Sequence, residues 1–267
     1  RLRQAGVTLV GPGAGYLACG RVGEGRLAEP EEIASSALAL LRGRSRNDLR
    51  GEHVLVTAGP TREPIDPVRF LTNRSSGRMG YAIAEAARDR GARVTLVSGP
   101  VSLPAPAGVE TIRVETAAEM ATETLARAAD ASIIVKSAAV ADYRPVRAAE
   151  LKIKKSDAGM TIDLERTTDI LAELGRRKGT AVLVGFAAET DNVIDNARAK
   201  LDGKNADVIV ANDVTAEGAG FDVDTNVATL VGRGGRVDEL PRMSKRELAD
   251  RILDAAVAAR ADRAAHG

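Results

Sequence analysis

GEHVLVTAGPTREPIDPVRFLTNRSSGRMG, residues 51–80, contains the change of period that decides the fold. HVLVTA (residues 53–58) is an apolar, β-branched run of strand length. From Ser76 to about Arg90 the spacing becomes helical, with Met79, Ile83 and Ala86 on one face and Gly91 as the stop. Between strand and helix lies a long irregular loop, GPTREPIDPVRF, followed by polar residues and small glycines. RVTLVS (residues 93–98) then returns to strand character. Strand, helix, strand is the unit from which a parallel sheet is wound.

The same rhythm continues downstream. A Pro-rich loop, GPVSLPAPAG, leads to strand TIRV, helix AAEMATETLARAA and strand ASIIVKSA. GFAAET ends another strand at Phe186 and Glu189, and helix NVIDNARAKLDG and strand ADVIVAN follow. The expectation is an α/β fold with a doubly wound, mostly parallel sheet. SKRE has capping-box spacing from Ser244 to Glu247, so the last helix should start there. ELKIKKSDAGMTIDLERT (residues 150–167) alternates polar and apolar residues, which predicts a projecting β-hairpin turning at Ser156–Gly159. Period two would put Lys152 and Lys154 on one face of it and Lys155 on the other. NVATLVGRGGRVDEL predicts a second hairpin. LRGRSRNDLRG (residues 41–51) reads as a polar linker, and RADRAAHG as a frayed tail.

Composition agrees with a buried parallel sheet. The 267 residues are 44% hydrophobic but only 2% aromatic, with no Trp, so the core must be aliphatic. Thirty-eight basic residues face 37 acidic ones, a balance of +1 that calls for neither nucleic acid nor an anionic membrane. One cysteine excludes an internal disulfide or a thiolate metal cage, and suggests a reducing cytoplasm. No apolar run reaches membrane-spanning length. RLRQAG at the start has neither an initiator Met nor a leader, and is expected to be a cut inside a longer chain.

The inventory of nucleophiles is short. His53 lies at a strand entrance and His266 in the tail; Cys19 precedes the linker. No Ser-His-Asp set, H-E-x-x-H or C-x-x-C can be assembled. A catalyst built from these residues works by positioning and charge stabilisation, as in phosphoryl and nucleotidyl transfer. Ser75, Ser76 and Gly77 at a helix start either cap the helix or let an anion reach its amides. On spacing alone the two readings stand level. The long loop carrying Thr61, Arg62, Asp66 and Arg69 favours a site. SAAVADYRP offers small residues at the sheet edge where flat ligands lie, though helix–sheet packing explains them as well. The lysines of LKIKK also suit a charged edge strand, and Lys200 and Lys204, one helical turn apart, suit a solvated face.

Taken in order, VLVTAGPTREPIDPVRFLTNRSSGRMG, AAVADYRP, KIKK, GFAAET and ANDV closely resemble the bacterial phosphopantothenate–cysteine ligases of coenzyme A biosynthesis, over about Gly51 to Ala259. GPGAGYLACGRVGEGRLAEPEEI resembles the end of the phosphopantothenoylcysteine decarboxylases that are often fused ahead of them. The resemblance implies three parts. Residues 1–42 would be a decarboxylase (flavoprotein) remnant, 43–50 a linker and 51–262 the ligase domain. It implies a Rossmann-like fold, a homodimer with a projecting β element at its interface, and CTP with Mg²⁺ or Mn²⁺. The substrates would be CTP, 4'-phosphopantothenate and cysteine, and the first product an acyl-cytidylate.

Carried over by position, Asn73 and Lys152 would be catalytic. Lys136, Ser137, Ala138, Asp142, Lys152, Thr168, Asp169, Ile170, Leu171, Phe186, Lys200 and Lys204 would bind CTP, with Asp142 as the candidate metal ligand. Gly59, Ser75, Ser76 and Gly77 would form the phosphate and substrate loop. Cys19 would donate a proton only in an intact decarboxylase, the half that also holds FMN. The family has small or apolar residues where this chain has Lys136 and Ser137, and the resemblance offers no reason for a lysine there.

Two rivals share the architecture. A short-chain-dehydrogenase-like NAD(P) enzyme would need G-x-G-x-x-G where TAGPTREP stands. It would also need a lysine four residues after Tyr81 or Tyr143, where Glu85 and Arg147 occur. A non-catalytic nucleotide sensor would bind without turnover.

Overall fold

The computed structural model describes residues 9–11, 13–16, 22–28, 30, 33–34, 36–37, 47–155, 159–189, 192–213 and 225–266. The chain divides into two compact units, Arg1–Asp48 and Leu49–Gly267. In the first, β1 (Gly13–Tyr16) pairs antiparallel with β2 (Val22–Arg26). Cys19 lies outside the described residues.

The second unit opens with β3 (His53–Ala58), and a tight turn pair follows, β4 (Arg62–Pro64) against β5 (Phe70–Thr72). The loop read as irregular is therefore folded back on itself. Asp66 holds its turn: one carboxylate oxygen accepts the Val68 and Arg69 amides, the other the Arg69 guanidinium and the Ile153 amide. The Arg69 hydrogen bonds hold the Asp66 carboxyl far below its ordinary value, against the opposing effect of burial and with help from the three amides.

Next come α1 (Arg78–Asp89), β6 (Arg93–Ser98), β7 (Glu110–Arg113), α2 (Ala117–Arg127) and β8 (Ile133–Lys136). β9 (Tyr143–Pro145) and β10 (Leu164–Arg166) form a separate antiparallel ribbon. α3 (Ile170–Arg177), β11 (Val182–Glu189), α4 (Val193–Gly203) and β12 (Val208–Asp213) complete the parallel part. The expected second hairpin is β13 (Thr225–Gly232) with β14 (Val237–Ser244), and α5 (Lys245–His266) closes the chain. As expected, Ser244 and Glu247 make a capping box: the Ser244 hydroxyl accepts the Glu247 amide, and the Glu247 carboxylate accepts the Ser244 amide.

The eight-stranded sheet has the order β14-β13-β12-β11-β8-β3-β6-β7. The six strands from β12 to β7 run parallel, and the two at the β14 edge alternate. Central strands are buried on both faces, which their unbroken β-branched runs require. Val54, Val56, Ile133 and Val135 face the layer of α1 and α5, while Leu55 and Ile134 face α2, α3 and α4. From β3 the chain winds outward through β6 and β7, then returns to β8 and winds the other way. The C-terminal ends of β3 and β8 are therefore neighbours whose connections diverge, which opens a crevice between them.

The β-ribbon differs from expectation in its strands. Residues 151–155 belong to no strand, because Leu164–Arg166 takes Tyr143–Pro145 as its ladder partner. Without a ladder, period two does not apply to Lys152–Lys155. The expected turn falls largely on residues 156–158, outside the described residues.

Candidate active site

The crevice at the β3/β8 switch point is a cavity of about 490 Å³. Gly59, Asn73, Ser75, Ser76, Gly77, Lys136, Ser137, Ala138, Asp142, Phe186 and Lys200 all line it. Most of the residues carried over from the family motifs are thus gathered in one place.

Its floor is made by the segments that follow β3 and β8, zipped together. The Ser137 hydroxyl donates to the Thr57 carbonyl at 2.6 Å, the Ala138 amide to the Thr57 hydroxyl, and the Ala139 amide to the Gly59 carbonyl. The Ala141 amide donates to the Thr61 hydroxyl. Asn73 joins this seam, its side-chain amide donating to the Val140 carbonyl at 3.0 Å. That bond aims the Asn73 carbonyl oxygen and fixes an otherwise exposed side chain.

One wall is the start of α1. Gly77 is its N-cap in a left-handed conformation (φ 76°), and as a glycine it brings no capping side chain of its own. The Ser75 hydroxyl instead accepts the Gly77 amide at 3.3 Å. Ser75, Ser76 and Gly77 all line the cavity, so the helix start faces it. Gly59 shares the left-handed conformation. Val101, from the Pro-rich loop, fills the space beside both: an added Cβ at Gly59 or Gly77 would lie 2.9 or 2.8 Å from its Cγ1.

Lys136 also lines the cavity. It sits at the exit of β8 with Thr57 and Gly185 in register on either side. Its ammonium donates to the Ala138 carbonyl at 2.9 Å. Burial, then the charge of Lys200, pushes its pKa down to about 8, and Asp142 and Asp169 only partly offset this. The unexplained lysine is therefore no core residue; it is a cation presented at the sheet edge.

Other candidate residues lie elsewhere. Thr168–Leu171 is the entry to α3, where the Asp169 carboxylate accepts the Ala172 amide. Ile170 and Leu171 are buried in the core, so their side chains cannot meet a ligand. Lys204 pairs with Asp169 at 2.6 Å. Burial would raise the Asp169 carboxyl, but the Lys204 bond and the Ala172 amide hold it low. Lys152 is outside the crevice. It lines a separate surface cavity with Arg69, Ile153, Lys154, Lys155 and Met160. His53 is structural, its ring nitrogens bonded to the Asp130 carbonyl and the Thr95 hydroxyl.

The sequence reading missed Asn212, Asn226 and Lys245, which line the crevice from β12, β13 and α5. Their signals were the ANDV motif, to which no role was attached, and the capping box that places Lys245 at a helix start. Among the described residues, no group of three or more His, Cys, Asp and Glu could cage a metal. No described helix is long and apolar enough to cross a membrane.

Residues 49–259 match the family described as the DNA/pantothenate metabolism flavoprotein C-terminal domain. The chain belongs to that family. It is 53% identical over 253 residues to the coenzyme A biosynthesis bifunctional protein CoaBC of Bacillus subtilis (strain 168), covering 94% of this chain and 62% of that protein. Identity to the CoaBC of Vibrio vulnificus (strain YJ016) is 46% over 255 residues, covering 94% and 63%. The chain thus spans a little over three-fifths of these relatives' length. The solved C-terminal domain of a CoaBC protein superposes with a TM-score of 0.70 at 46% identity, covering 81% of this chain and 99% of that domain. The Rossmann-like sheet is therefore the fold of the C-terminal domain of CoaBC proteins.

Proposed function

We propose that this chain joins cysteine to 4'-phosphopantothenate with CTP, through an acyl-cytidylate, releasing pyrophosphate and then CMP. The observation that carries the reading is the crevice itself. It brings a helix start with a glycine N-cap and small-residue backbone together with the cations Lys136 and Lys200, and no described lining residue is His or Cys. That arrangement suits a reaction between substrate groups, in which the protein binds anions and stabilises charge. The α1 start receives phosphates. Ser137–Asp142 supplies backbone to the nucleoside, and Asn73 orients the carboxylate or the acyl-cytidylate. The similarity to the CoaBC C-terminal domain supports the same choice of substrates.

A divalent cation fits this donor set only as a companion of the nucleotide. Asp142 is the single carboxylate among the described lining residues, and Mg²⁺ commonly binds through one carboxylate plus substrate phosphates. When bound, the ion supplies charge neutralisation on the phosphates.

The functional unit in this reading is a cytoplasmic homodimer, fused in the full-length protein to a decarboxylase that holds FMN. Residues 1–42 are its remnant, 43–50 the linker and 51–262 the ligase domain; the start of the second compact unit at Leu49 supports that division. The test is pyrophosphate release from CTP, with phosphopantothenate present or absent and NADPH binding as the control. Release that depends on phosphopantothenate is expected. Binding of CTP without turnover would favour a sensor, and NADPH binding a dehydrogenase.

A further inference from the structure

Gly59 and Gly77 form a backbone wall of the crevice, and that wall is held from outside the cavity. Val101 of the Pro-rich loop is not one of the described lining residues, yet it fills the space beside both glycines. The loop leaves β6 at Gly99, where it presses on the segment that follows β3. An added Cβ at Gly99 would lie 1.7 Å from the Pro60 carbonyl oxygen. Two arginines tie the loop down further on. Arg88 of α1 donates to the Ala107 carbonyl at 2.5 Å, and Arg113, the last residue of β7, donates to the Leu103 carbonyl at 3.1 Å.

Arg113 also reaches α1. Its Nη1 donates to the Tyr81 hydroxyl at 2.7 Å, and its guanidinium lies 5.9 Å from the centre of the Tyr81 ring. Tyr81 is buried in the first turn of α1, and its amide donates to the Gly77 carbonyl at 3.1 Å. Donor accounting gives this network a direction. The Ser98 hydroxyl donates to the Gly99 carbonyl at 3.0 Å, so it accepts from the Tyr81 hydroxyl at 3.1 Å. A guanidinium has only donors, so the Tyr81 oxygen accepts from Arg113. One side chain thus grips the first turn of α1, the exit of β6 and the loop that carries Val101. Holding β7 in the sheet requires none of these contacts, since its ladder with β6 does that.

We propose that Arg113, acting through Tyr81 and the Val101 loop, is a positioning residue that sets the Gly59–Gly77 wall against which substrate phosphates lie. The inference rests on the ligase reading. Arg113 touches no reacting group; it lines a different cavity, with Ala118 and Glu119 of α2. The fit of the wall acts on the ground state and the transition state alike. Its loss should therefore appear in affinity and not in the saturated rate.

The experiment compares the whole chain with Arg113→Met, Tyr81→Phe and the double variant. Arg113 is exposed at the sheet edge, so its Met variant should fold. Calorimetry measures the affinity for CTP and for phosphopantothenate, each alone, and pyrophosphate release is followed at saturating CTP. The ligand whose phosphate meets the wall should bind ~10-fold more weakly to Arg113→Met, the scale of one hydrogen bond from a charged group. The saturated rate should not change. Tyr81→Phe should show a similar loss, and the double variant no further one, because both remove the same relay. Unchanged affinity for both ligands in Arg113→Met would overturn the proposal, even with a lower melting temperature, the mark of a purely structural role. So would a double variant weaker by the product of the two single effects. If Arg113→Met does not fold, Tyr81→Phe decides, since it removes a single oxygen and must still weaken binding. A wild-type chain that binds CTP without releasing pyrophosphate would sink the ligase reading alone, and the affinities would still judge Arg113.

Discussion

Lys136 shows how one residue can be out of place in a family pattern and well placed in a fold. A lysine at the end of a central strand is costly if it is core. Here Lys136 is the last residue of the strand, and its ammonium reaches the Ala138 carbonyl just beyond it. Its pKa, pushed down to about 8, has a consequence for binding. An anionic ligand favours the ammonium and raises that value. Binding CTP near pH 8 should therefore take up a proton, and binding at pH 6, where the lysine is already charged, should not. Affinity should weaken as pH rises through the free-protein value. Calorimetry in buffers of different ionisation enthalpy measures the uptake. Lys136→Met should abolish it, and uptake that persists in that variant would assign the proton to another group. The charged groups facing Lys136 are Lys200, Asp142 and Asp169.

Gly77 makes a second point at this scale. An alanine there would adopt a left-handed backbone and bring its Cβ to 2.8 Å from Val101. The backbone part alone costs about 1–2 kcal/mol. Gly77→Ala should lose at least that much stability in urea and weaken CTP binding. Adding Val101→Ala should restore the part due to contact and leave the backbone part. Full recovery in the double variant would mean that the left-handed conformation carries no strain.

At the scale of elements, legibility followed the strength of local constraint. HVLVTA and RVTLVS are strands to the residue, because their β-branched runs are cut off sharply by glycine or charge. The Ser244 capping box was equally plain. LKIKK has the right alternation for a strand, yet alternation says nothing about which partner supplies the ladder, and β10 found β9 instead. α3 was hidden for a different reason. It has only eight residues, too few for its apolar spacing to stand out from a turn, although Asp169 followed by Ile170, Leu171 and Leu174 is the pattern of a capped amphipathic helix. The crevice was legible where motifs lie next to strand ends. Lys245 was not, because its approach depends on how α5 packs beside α1.

A buried hub ties several of these elements together. Asp207, at the entrance of β12, accepts Lys178 at 2.6 Å, the Leu183 amide at 2.8 Å and Arg263 from α5 at 3.0 Å. Burial lowers the Lys178 pKa to about 8 despite this partner. Asp207→Ala leaves a buried lysine and an amide without their acceptor. Breaking a buried pair costs about 3–5 kcal/mol, so denaturant unfolding should show a loss of that order. A loss under ~1 kcal/mol, the value of an exposed pair, would mean that water replaces the carboxylate.

The whole molecule leaves an apolar surface uncovered. Val68, Phe70, Tyr143, Val146, Leu151, Met160 and Leu164 are large and exposed, from 44% to 82%. All belong to the β4–β5 turn pair, the β9–β10 ribbon and the segments beside them. Contiguous exposed apolar surface of this kind marks an interface, and a two-stranded ribbon is marginal without a partner. Light scattering at micromolar concentration should give a dimeric mass. The same surface bears on Lys152, which lies beside the ribbon in a cavity of its own and outside the crevice of its own chain. If Lys152 catalyses by stabilising charge on the α-phosphate, it does so from the partner's ribbon. Lys152→Gln and Asn73→Ala should each abolish acyl-cytidylate formation. Co-expressed in equal amounts, they should recover activity, because a mixed dimer has one site with a native crevice and a native lysine from the other chain. Half of the dimers are mixed and one site in two is intact, so about a quarter of wild-type pyrophosphate release is expected for a two-fold assembly. A lysine acting within its own chain would leave every site defective. Activity at the level of the separate variants, with a dimeric mass confirmed, would therefore return Lys152 to its own crevice and require residues 151–155 to fold over it.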